Sequence, residues 1–304
     1  MRRLSLLLLA VSTACAAPVQ AKSAGEIPLP SQAQRRAYWN QGKGEVTSYS
    51  LQQARYGELH EGHAVLIFVT EPFSRSKQVK LDDPRRAGED AVEVLKLNHT
   101  RKFNTGVYPY STMRSVFTPT RGGERAIKLS ASTQEWCGHV FMQLGQQKEG
   151  GYAGQLLSYF ESEGDRPLRT PKGAWLEDDV WTTLRINPNE LPQGSLQMVP
   201  SATYLRLRHV PVVAQKAQAK LTRLSKERLA YEVKYEGVDR SLRIEFEASF
   251  PFRILGWSET QPSGWGGGAQ RLTTTATKKA EIMTDYWSKN RNSDRALRET
   301  LKIP

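Results

Sequence analysis

RLAYEVKYEGVDRSLRIEFEASF, residues 228–250, decides the fold class of this chain. Apolar and polar side chains alternate in it on both sides of a turn around Gly237. A period of two puts one face of each half against a core and the charged face in water, which predicts a hairpin of two antiparallel strands. The apolar positions are Leu229, Tyr231, Val233 and Tyr235 before the turn, and Leu242, Ile244, Phe246, Ala248 and Phe250 after it.

The same pattern recurs along most of the chain. Leu205 and Leu207 alternate with polar or charged residues, and AVLIFVT, residues 64–70, is apolar at every position but the last, which is typical of a strand covered on both faces. Segments such as PNELPQG and GWGGGAQ separate about fifteen candidate strands at intervals typical of all-β proteins. We therefore predict a large curved antiparallel sheet that forms either an open barrel or a sandwich.

The N-terminus has the pattern of a secretory signal peptide over residues 1–21. Arg2 and Arg3 precede a short apolar run, and small residues lead to an A-x-A-like site that ends at Ala21. The sequence around Cys15 loosely resembles a lipoprotein cleavage site, which is the alternative route of processing. Both routes predict export, to the periplasm or beyond. The apolar run is too short for a membrane-spanning helix, so no transmembrane segment is expected.

The rest of the chain divides into three parts. Residues 22–37 are rich in proline and small polar residues and indicate a linker. Residues 38–288 form the antiparallel β domain, as one unit or as two β subdomains. Residues 289–304 form a short C-terminal helix and tail, with Ser293 as the expected N-cap.

The charge of the chain bears on its partners. Without Arg2 and Arg3, 41 basic residues face 31 acidic ones, a net charge of +10. An exported basic protein is suited to anionic lipid or glycan of the cell envelope, although a merely solvated basic surface is the alternative. No basic run is interleaved with regularly spaced aromatic residues, so nucleic acid is not the expected partner. The oligomeric state stays open.

The first candidate site lies in STQEWCGHVFMQL, residues 132–144. If this segment is one strand, Glu135, Cys137 and His139 share a face as a row of side chains about 6.6 Å apart along the backbone. A nucleophilic thiol needs a base at hydrogen-bond distance, which a row along one strand does not supply. A packed strand is therefore favoured over a ligand-contacting row and over a catalytic cysteine.

Acidic residues form a second group of candidates. YFESEGD places Glu161 and Glu163 on one predicted strand face, and WLEDDVW places the acids 177–179 between two tryptophans. Paired carboxylates next to tryptophan can cleave a glycosidic bond or hold calcium, and solvated turn acids are the favoured alternative. His60 and His63 flank a predicted turn without an identifiable third ligand, so no metal site is expected. No cofactor fingerprint appears either.

Tryptophans near a glycine-rich loop form the third group. Trp257 ends a predicted strand, and Trp265 sits among four glycines. A mobile loop with one large amphipathic ring can close over an apolar or sugar ligand. The favoured alternative is a hairpin loop whose tryptophan folds onto the sheet.

ARYGELHEGHAVLIFVTEPFS, KFNTGVYPYSTM, STQEWCGHVFMQL, SYFESEGD and INPNELPQG together resemble an uncharacterised family of exported bacterial proteins. The resemblance runs from about Tyr38 to His209. Some members carry a septum-formation-inhibitor (Maf) label, but the Ser-x-Ser-Pro-Arg-Arg signature of Maf pyrophosphatases is absent from this sequence. The resemblance therefore implies an envelope protein and no particular mechanism.

Export, basic charge and amphipathic strands together predict a binding protein. We expect it to bind an amphipathic or anionic envelope molecule, lipid-like or glycan, on its curved sheet. Two alternatives stay open. One is a secreted hydrolase of cell-wall or polysaccharide material, and the other is a structural envelope protein.

Overall fold

The computed structural model of the protein describes residues 22–264 and 266–304. The predicted signal peptide, Cys15 and Trp265 lie outside the described residues. Among the residues that the structure describes, no helix has the length and apolar character needed to cross a membrane.

In the part of the chain that the structure describes, seventeen strands form a single sheet, in which only one pairing, that of the short strands β11 and β12, is parallel. This confirms the predicted antiparallel all-β class. The strands are β1 (Lys22–Ser23), β2 (Gly44–Arg55), β3 (Glu58–Ser74), β4 (Val79–Lys80), β5 (Ala91–Thr105), β6 (Tyr108–Pro119), β7 (Lys128–Glu135), β8 (Gly138–Gln146), β9 (Tyr152–Ser158), β10 (Arg166–Arg169), β11 (Trp175–Leu176), β12 (Gly194–Val199), β13 (Gln215–Arg223), β14 (Arg228–Tyr235), β15 (Ser241–Glu247), β16 (Ile254–Ser263) and β17 (Gln270–Thr284).

Short helices complete the described chain: α1 (Gln32–Trp39), α2 (Pro84–Ala87), α3 (Val180–Ile186), α4 (Ala202–Arg208) and α5 (Ala296–Thr300). Helix α1 begins at a capping box in which Ser31 and Gln34 bond each other's backbone N–H groups, and most of it lies within the segment that was predicted to be a linker. The predicted C-terminal helix is present as α5. Its expected cap, Ser293, lies instead inside a preceding 3₁₀ turn, Asn292–Arg295.

Neighbouring strands pair mostly in chain order, and the hairpin of residues 228–250 forms as β14 and β15, with Tyr231 opposite Ile244. Strand β17 returns to pair with β2, which joins the two halves of the chain into one sheet. The tight turns at 56–57, 106–107 and 136–137 all lie at one end of the sheet, here called the hairpin end. The connections 75–90, 120–127 and 248–253 lie at the opposite end, here called the loop end.

The sheet curls around α3 and α4, and this curled sheet is called the barrel below. The Trp181 ring on α3 contacts His99 on β5 at 5.1 Å and Trp257 on β16 at 5.2 Å between ring centroids. Strands β5 and β16 are separated in the sheet by β3, β2 and β17. One side chain can touch both only if the sheet bends around it. Side chains of α3 and α4 therefore occupy the concave side of the curved sheet, where a ligand was expected to bind.

Helix α4 replaces a strand predicted around Leu205 and Leu207. Ser201 caps it, and its side chains from Ala202 to Leu207 are all buried. A short helix that is covered on every side shows no helical alternation of apolar and polar residues in its sequence. The alternation of apolar and charged residues was therefore misleading, because Arg206 is buried together with the apolar residues.

Candidate functional site

The predicted row of Glu135, Cys137 and His139 does not exist. Glu135 ends β7 and pairs with Gly138 at the start of β8, so Trp136 and Cys137 form the tip of a two-residue hairpin. The side chain of Glu135 is buried inside the barrel, whereas Cys137 and His139 are exposed. The turn reverses the chain within the segment that was expected to be one strand. Cys137 is therefore neither part of a packed strand nor aligned with His139.

Glu135 belongs to a polar cluster at the hairpin end. It pairs with Arg206 on α4, and the Arg206 guanidinium lies 4.4 Å from the centre of the Phe160 ring. His209 Nδ1 lies 3.0 Å from Glu163 Oε1. Burial raises the pKa of Glu163, but hydrogen bonds from His209 and Ser158 outweigh it and lower that pKa overall. The cluster fixes the end of α4 against the strands.

Glu161 and Glu163 were expected on one strand face, and this is wrong because β9 ends at Ser158. Both acids lie in the loop between β9 and β10, with Glu161 exposed and Glu163 buried. His60 and His63 do not flank a turn either, since both lie within β3. Within residues 22–264 and 266–304, no three His, Cys, Asp or Glu side chains are grouped so as to hold a metal ion.

Trp257 is a core residue. It is buried, and its ring also contacts Tyr49 at 4.9 Å and His99 at 5.0 Å. A ring packed on these sides by other rings has no free face for a ligand. The expectation that Trp257 contacts a ligand is therefore not met, and Trp265 lies outside the described residues.

The acids Glu177–Asp179 are fully buried, which overturns their interpretation as solvated turn residues. Glu177 pairs with Arg240, whose Nε lies 3.1 Å from Glu177 Oε2. Asp178 Oδ1 lies 2.7 Å from Arg114 Nη1. Both carboxylates are thus engaged by arginines, Arg114 on β6 and Arg240 in the turn before β15. They join the segment before α3 to the barrel wall.

Among the described residues, no arginine forms an ion pair with Asp179, which is held by neutral donors. Thr118 donates to Asp179 Oδ1 at 2.8 Å, and the Ala126 N–H donates to Oδ2 at 3.0 Å. Burial raises the pKa of Asp179, and these hydrogen bonds offset part of the rise. None of the three acids is oriented toward solvent, so the hydrolase chemistry considered for them has no support in this geometry.

A second buried array crosses the middle of the barrel. Arg101 and Glu259 form two bonds, of 2.9 and 2.6 Å. His99 lies between Arg101 and Arg114, with its Nδ1 2.7 Å from Arg114 Nη2. Burial and the two guanidinium charges hold the pKa of His99 well below its usual range, so its ring is neutral. The array stabilises contacts between β5, β6 and β16 and has no opening for a ligand.

The described surface has several clefts, and two of them differ strongly in size. The cleft between α4 and β6–β9 has apolar walls that include Met142, Leu156 and Val212, but it encloses only about 30 Å³. That is room for one or two water molecules. A cleft at the loop end, between α1 and the ends of β5 and β6, measures about 680 Å³. Ligand sites are typically about 300–1,000 Å³.

We call the larger one the arginine cleft, because Arg35, Arg36 and Arg121 line it. Within the described residues, none of the three has a carboxylate partner, and the Nε of Arg35 is buried without a hydrogen bond. Arg36 and Arg121 are exposed. Guanidinium groups left unpaired in a concave site are suited to bind a phosphate or a carboxylate.

The floor of the arginine cleft is apolar. It consists of the buried side chains of Trp39, Leu95 and Ile186, from α1, β5 and α3. Its acidic lining residue, Glu93, accepts hydrogen bonds from Asn40 Nδ2 at 2.5 Å and from Thr120 Oγ1 at 2.9 Å. Glu93 is therefore held by neutral donors and leaves the arginines unpaired.

The sequence contained a signal for this cleft that the strand pattern obscured. In SQAQRRAYW, Ser31 and Gln34 form a capping-box pattern, and one turn of helix separates the arginine pair from Trp39. Residues three and four apart lie on the same face of a helix, so such a helix presents the arginine pair beside an aromatic ring. Arg121 and the apolar floor come from distant segments, so sequence spacing alone could not complete the site.

No protein-family model and no curated protein matches the chain. Among solved structures, the chain is similar to one described as a beta-barrel-like protein of domain of unknown function DUF1849 from Brucella abortus. The two share 8% sequence identity with a TM-score of 0.45, over 79% of this chain and 97% of that chain. At this identity the likeness concerns the fold alone.

Proposed function

We propose that this chain is an exported envelope protein that binds an amphipathic anion in the arginine cleft. The observation that carries the proposal is the set Arg35, Arg36 and Arg121, unpaired above an apolar floor in a cleft of ligand size. A phosphate or carboxylate head contacts the guanidinium groups. The apolar or ring-shaped body of the same molecule packs on Trp39 and its neighbours.

The balance of charge supports an anionic ligand. Glu93 contributes one negative charge to the lining, against three arginines. The net charge of +10 after removal of residues 1–21 attracts anions over longer distances. Arginine forms paired, charge-assisted hydrogen bonds with phosphate and carboxylate, which favours these head groups over neutral ones.

The apolar floor supports an amphipathic ligand rather than a free ion. Burying apolar area contributes about 25 cal/mol per Å². A ligand that covers the Trp39 ring gains binding free energy from this burial in addition to the ionic contacts. Export rests on the pattern of residues 1–21, and the anionic amphiphiles of the envelope are the matching class of molecule.

The test is a calorimetric titration of the mature protein with four probes, below their micelle-forming concentrations. The probes are dodecyl phosphate, dodecanoate, dodecyl maltoside and inorganic phosphate. We expect the two anionic amphiphiles to bind at least about tenfold more tightly than the other two, with partial weakening at high salt. Equal binding of dodecyl maltoside would contradict the proposal, because that head group carries no charge.

A further inference from the structure

Exposed apolar side chains are concentrated on the outer face of β6–β9, near the hairpin end. We call this surface the apolar corner and define it by Val107, Met113, Trp136, Phe141, Leu157 and Tyr159. Val107 is 82% exposed, Trp136 65% and Tyr159 67%. Side chains of this size and exposure are costly in water unless another surface covers them.

The apolar corner is continuous. Phe141 on β8 is directly opposite Leu157 on β9, and on its other side it is opposite Ser132, which in turn faces Met113 on β6. These residues therefore form one row across four strands. At the tip, the Trp136 ring lies 5.8 Å from the Tyr108 ring, next to Val107.

Tyr159 connects the row to the tip. Its ring lies so close to Gly138 that a Cβ atom at that position would be 2.6 Å from it. The ring thus covers the backbone beside the Trp136–Cys137 turn.

The apolar corner is poor in charge. The outward positions of β7 and β8 around Phe141 carry Ser130, Ser132, Gln134, His139 and Gln143, with no acidic residue among them. The acid on this hairpin, Glu135, points inward and pairs with Arg206. On β5, the exposed Lys102 adds a positive charge. On β6–β9 the one acid is the buried Glu135, so the outward positions of these four strands do not repel an anionic head group, and the exposed Glu161 lies beyond them in the loop after β9.

We propose that the apolar corner docks the protein on the surface of a phospholipid membrane. Trp136 and Tyr159 place amphipathic rings at the tip, where one edge is apolar and the other is polar. Such rings are favoured at the head-group level of a bilayer. The Met113–Phe141–Leu157 row then contacts the acyl boundary. This surface is separate from the arginine cleft, which lies at the loop end, so the two proposals are independent.

The experiment is flotation of the mature protein with vesicles of phosphatidylethanolamine and phosphatidylglycerol. Trp136→Ala and Val107→Asp are compared with Trp287→Ala, a matched control that is 50% exposed in the C-terminal segment. We expect the partition coefficient to fall about tenfold in the first two variants and to be unchanged in the control. All three residues are exposed, and circular dichroism verifies that the fold is kept.

A second measurement distinguishes a membrane from a protein partner. Acyl chains labelled with bromine should quench tryptophan fluorescence in the wild type and quench it less in Trp136→Phe. Absence of vesicle binding, or equal binding by all variants, would overturn the proposal. It would also be overturned by sedimentation showing a dimer that Trp136→Ala dissociates, since the apolar corner would then be an interface between two copies of this chain.

Discussion

Arg185 on α3 and Glu45 on β2 form a doubly hydrogen-bonded ion pair inside the barrel, with both N–O distances at 2.7 Å. The Nε of Arg185 also donates to the Pro251 carbonyl at 2.9 Å, and its guanidinium lies 4.4 Å from the centre of the Phe68 ring. This pair ties the helix that fills the barrel to the wall around it. The interior is therefore specified by charge as well as by apolar packing.

Glu45→Gln should strongly destabilise the fold. The substitution leaves the Arg185 guanidinium buried without its counter-charge, which costs about 3–5 kcal/mol in the free energy of unfolding. Urea denaturation measures the loss. The matched control is Glu232→Gln, whose partner Arg243 is about one-third exposed, and there we expect at most about 1 kcal/mol. Equal losses in both variants would show that the buried pair has no special role.

The Arg101–Glu259 pair should make the fold sensitive to acid. Burial acts to raise the pKa of Glu259, but the charge and hydrogen bonds of Arg101 outweigh it and lower that pKa from 4.5 to about 2. A carboxyl group whose pKa is lower in the folded state than in the unfolded state stabilises the fold. This contribution is fully present above pH 4.5 and is lost as the pH falls from 4.5 toward 2.

Glu259→Gln should therefore reduce the pH dependence of the free energy of unfolding across that range. Burial raises the pKa of Asp178 and Asp179, so their contributions to stability change with pH in the opposite direction to that of Glu259. Both aspartates are present in the wild type and in Glu259→Gln, so they do not affect the comparison. Urea denaturation at a series of pH values measures the difference. Parallel curves for the wild type and Glu259→Gln would contradict this account.

Cys137 should react quickly with a thiol reagent in the native protein, because it is exposed at the tip of a hairpin. Cys137→Ser should change the free energy of unfolding by no more than about 0.5 kcal/mol, as is typical of exposed positions. Labelling without denaturant, compared with labelling of the unfolded protein, measures accessibility. A thiol that reacts only after unfolding would show that this tip is covered.

Local patterns predicted the strands well where one face is buried and the other meets water. The hairpin of β14 and β15 is of this kind, with Leu229 and Phe246 inside and Lys234 outside. The antiparallel class follows from many such segments. The pattern failed for α4, because the sequence does not show that Arg206 is buried rather than solvated.

The buried acids show a second limit of the sequence. Glu177 is neutralised by Arg240, and Asp178 by Arg114, and both arginines come from distant segments of the chain. An acid in a short polar run is normally solvated, so only the three-dimensional pairing shows that these acids lie inside. The arginine cleft was missed for the same reason, since its floor and its third arginine are assembled by the fold.

Export predicts that the mature protein begins near Lys22 and carries a single cysteine, Cys137. The intact mass of protein recovered from a bacterial periplasm checks this. Removal of residues 1–21 supports the proposed compartment. A diacylated N-terminal Cys15 would contradict cleavage after Ala21 and would place the protein on a membrane anchor.

The arginine cleft is tested most directly by the affinity of variants for dodecyl phosphate. Arg36→Gln and Arg121→Gln change exposed side chains, so the fold should be unaffected, and Arg169→Gln is the matched control on β10 outside the cleft. We predict that each cleft variant raises Kd about fivefold to twentyfold, and that the double variant raises it further, because each lost guanidinium removes a charge-assisted contact. Arg169→Gln should bind like the wild type. If the double variant binds dodecyl phosphate as tightly as the wild type and the control do, the arginine cleft is not the site of binding.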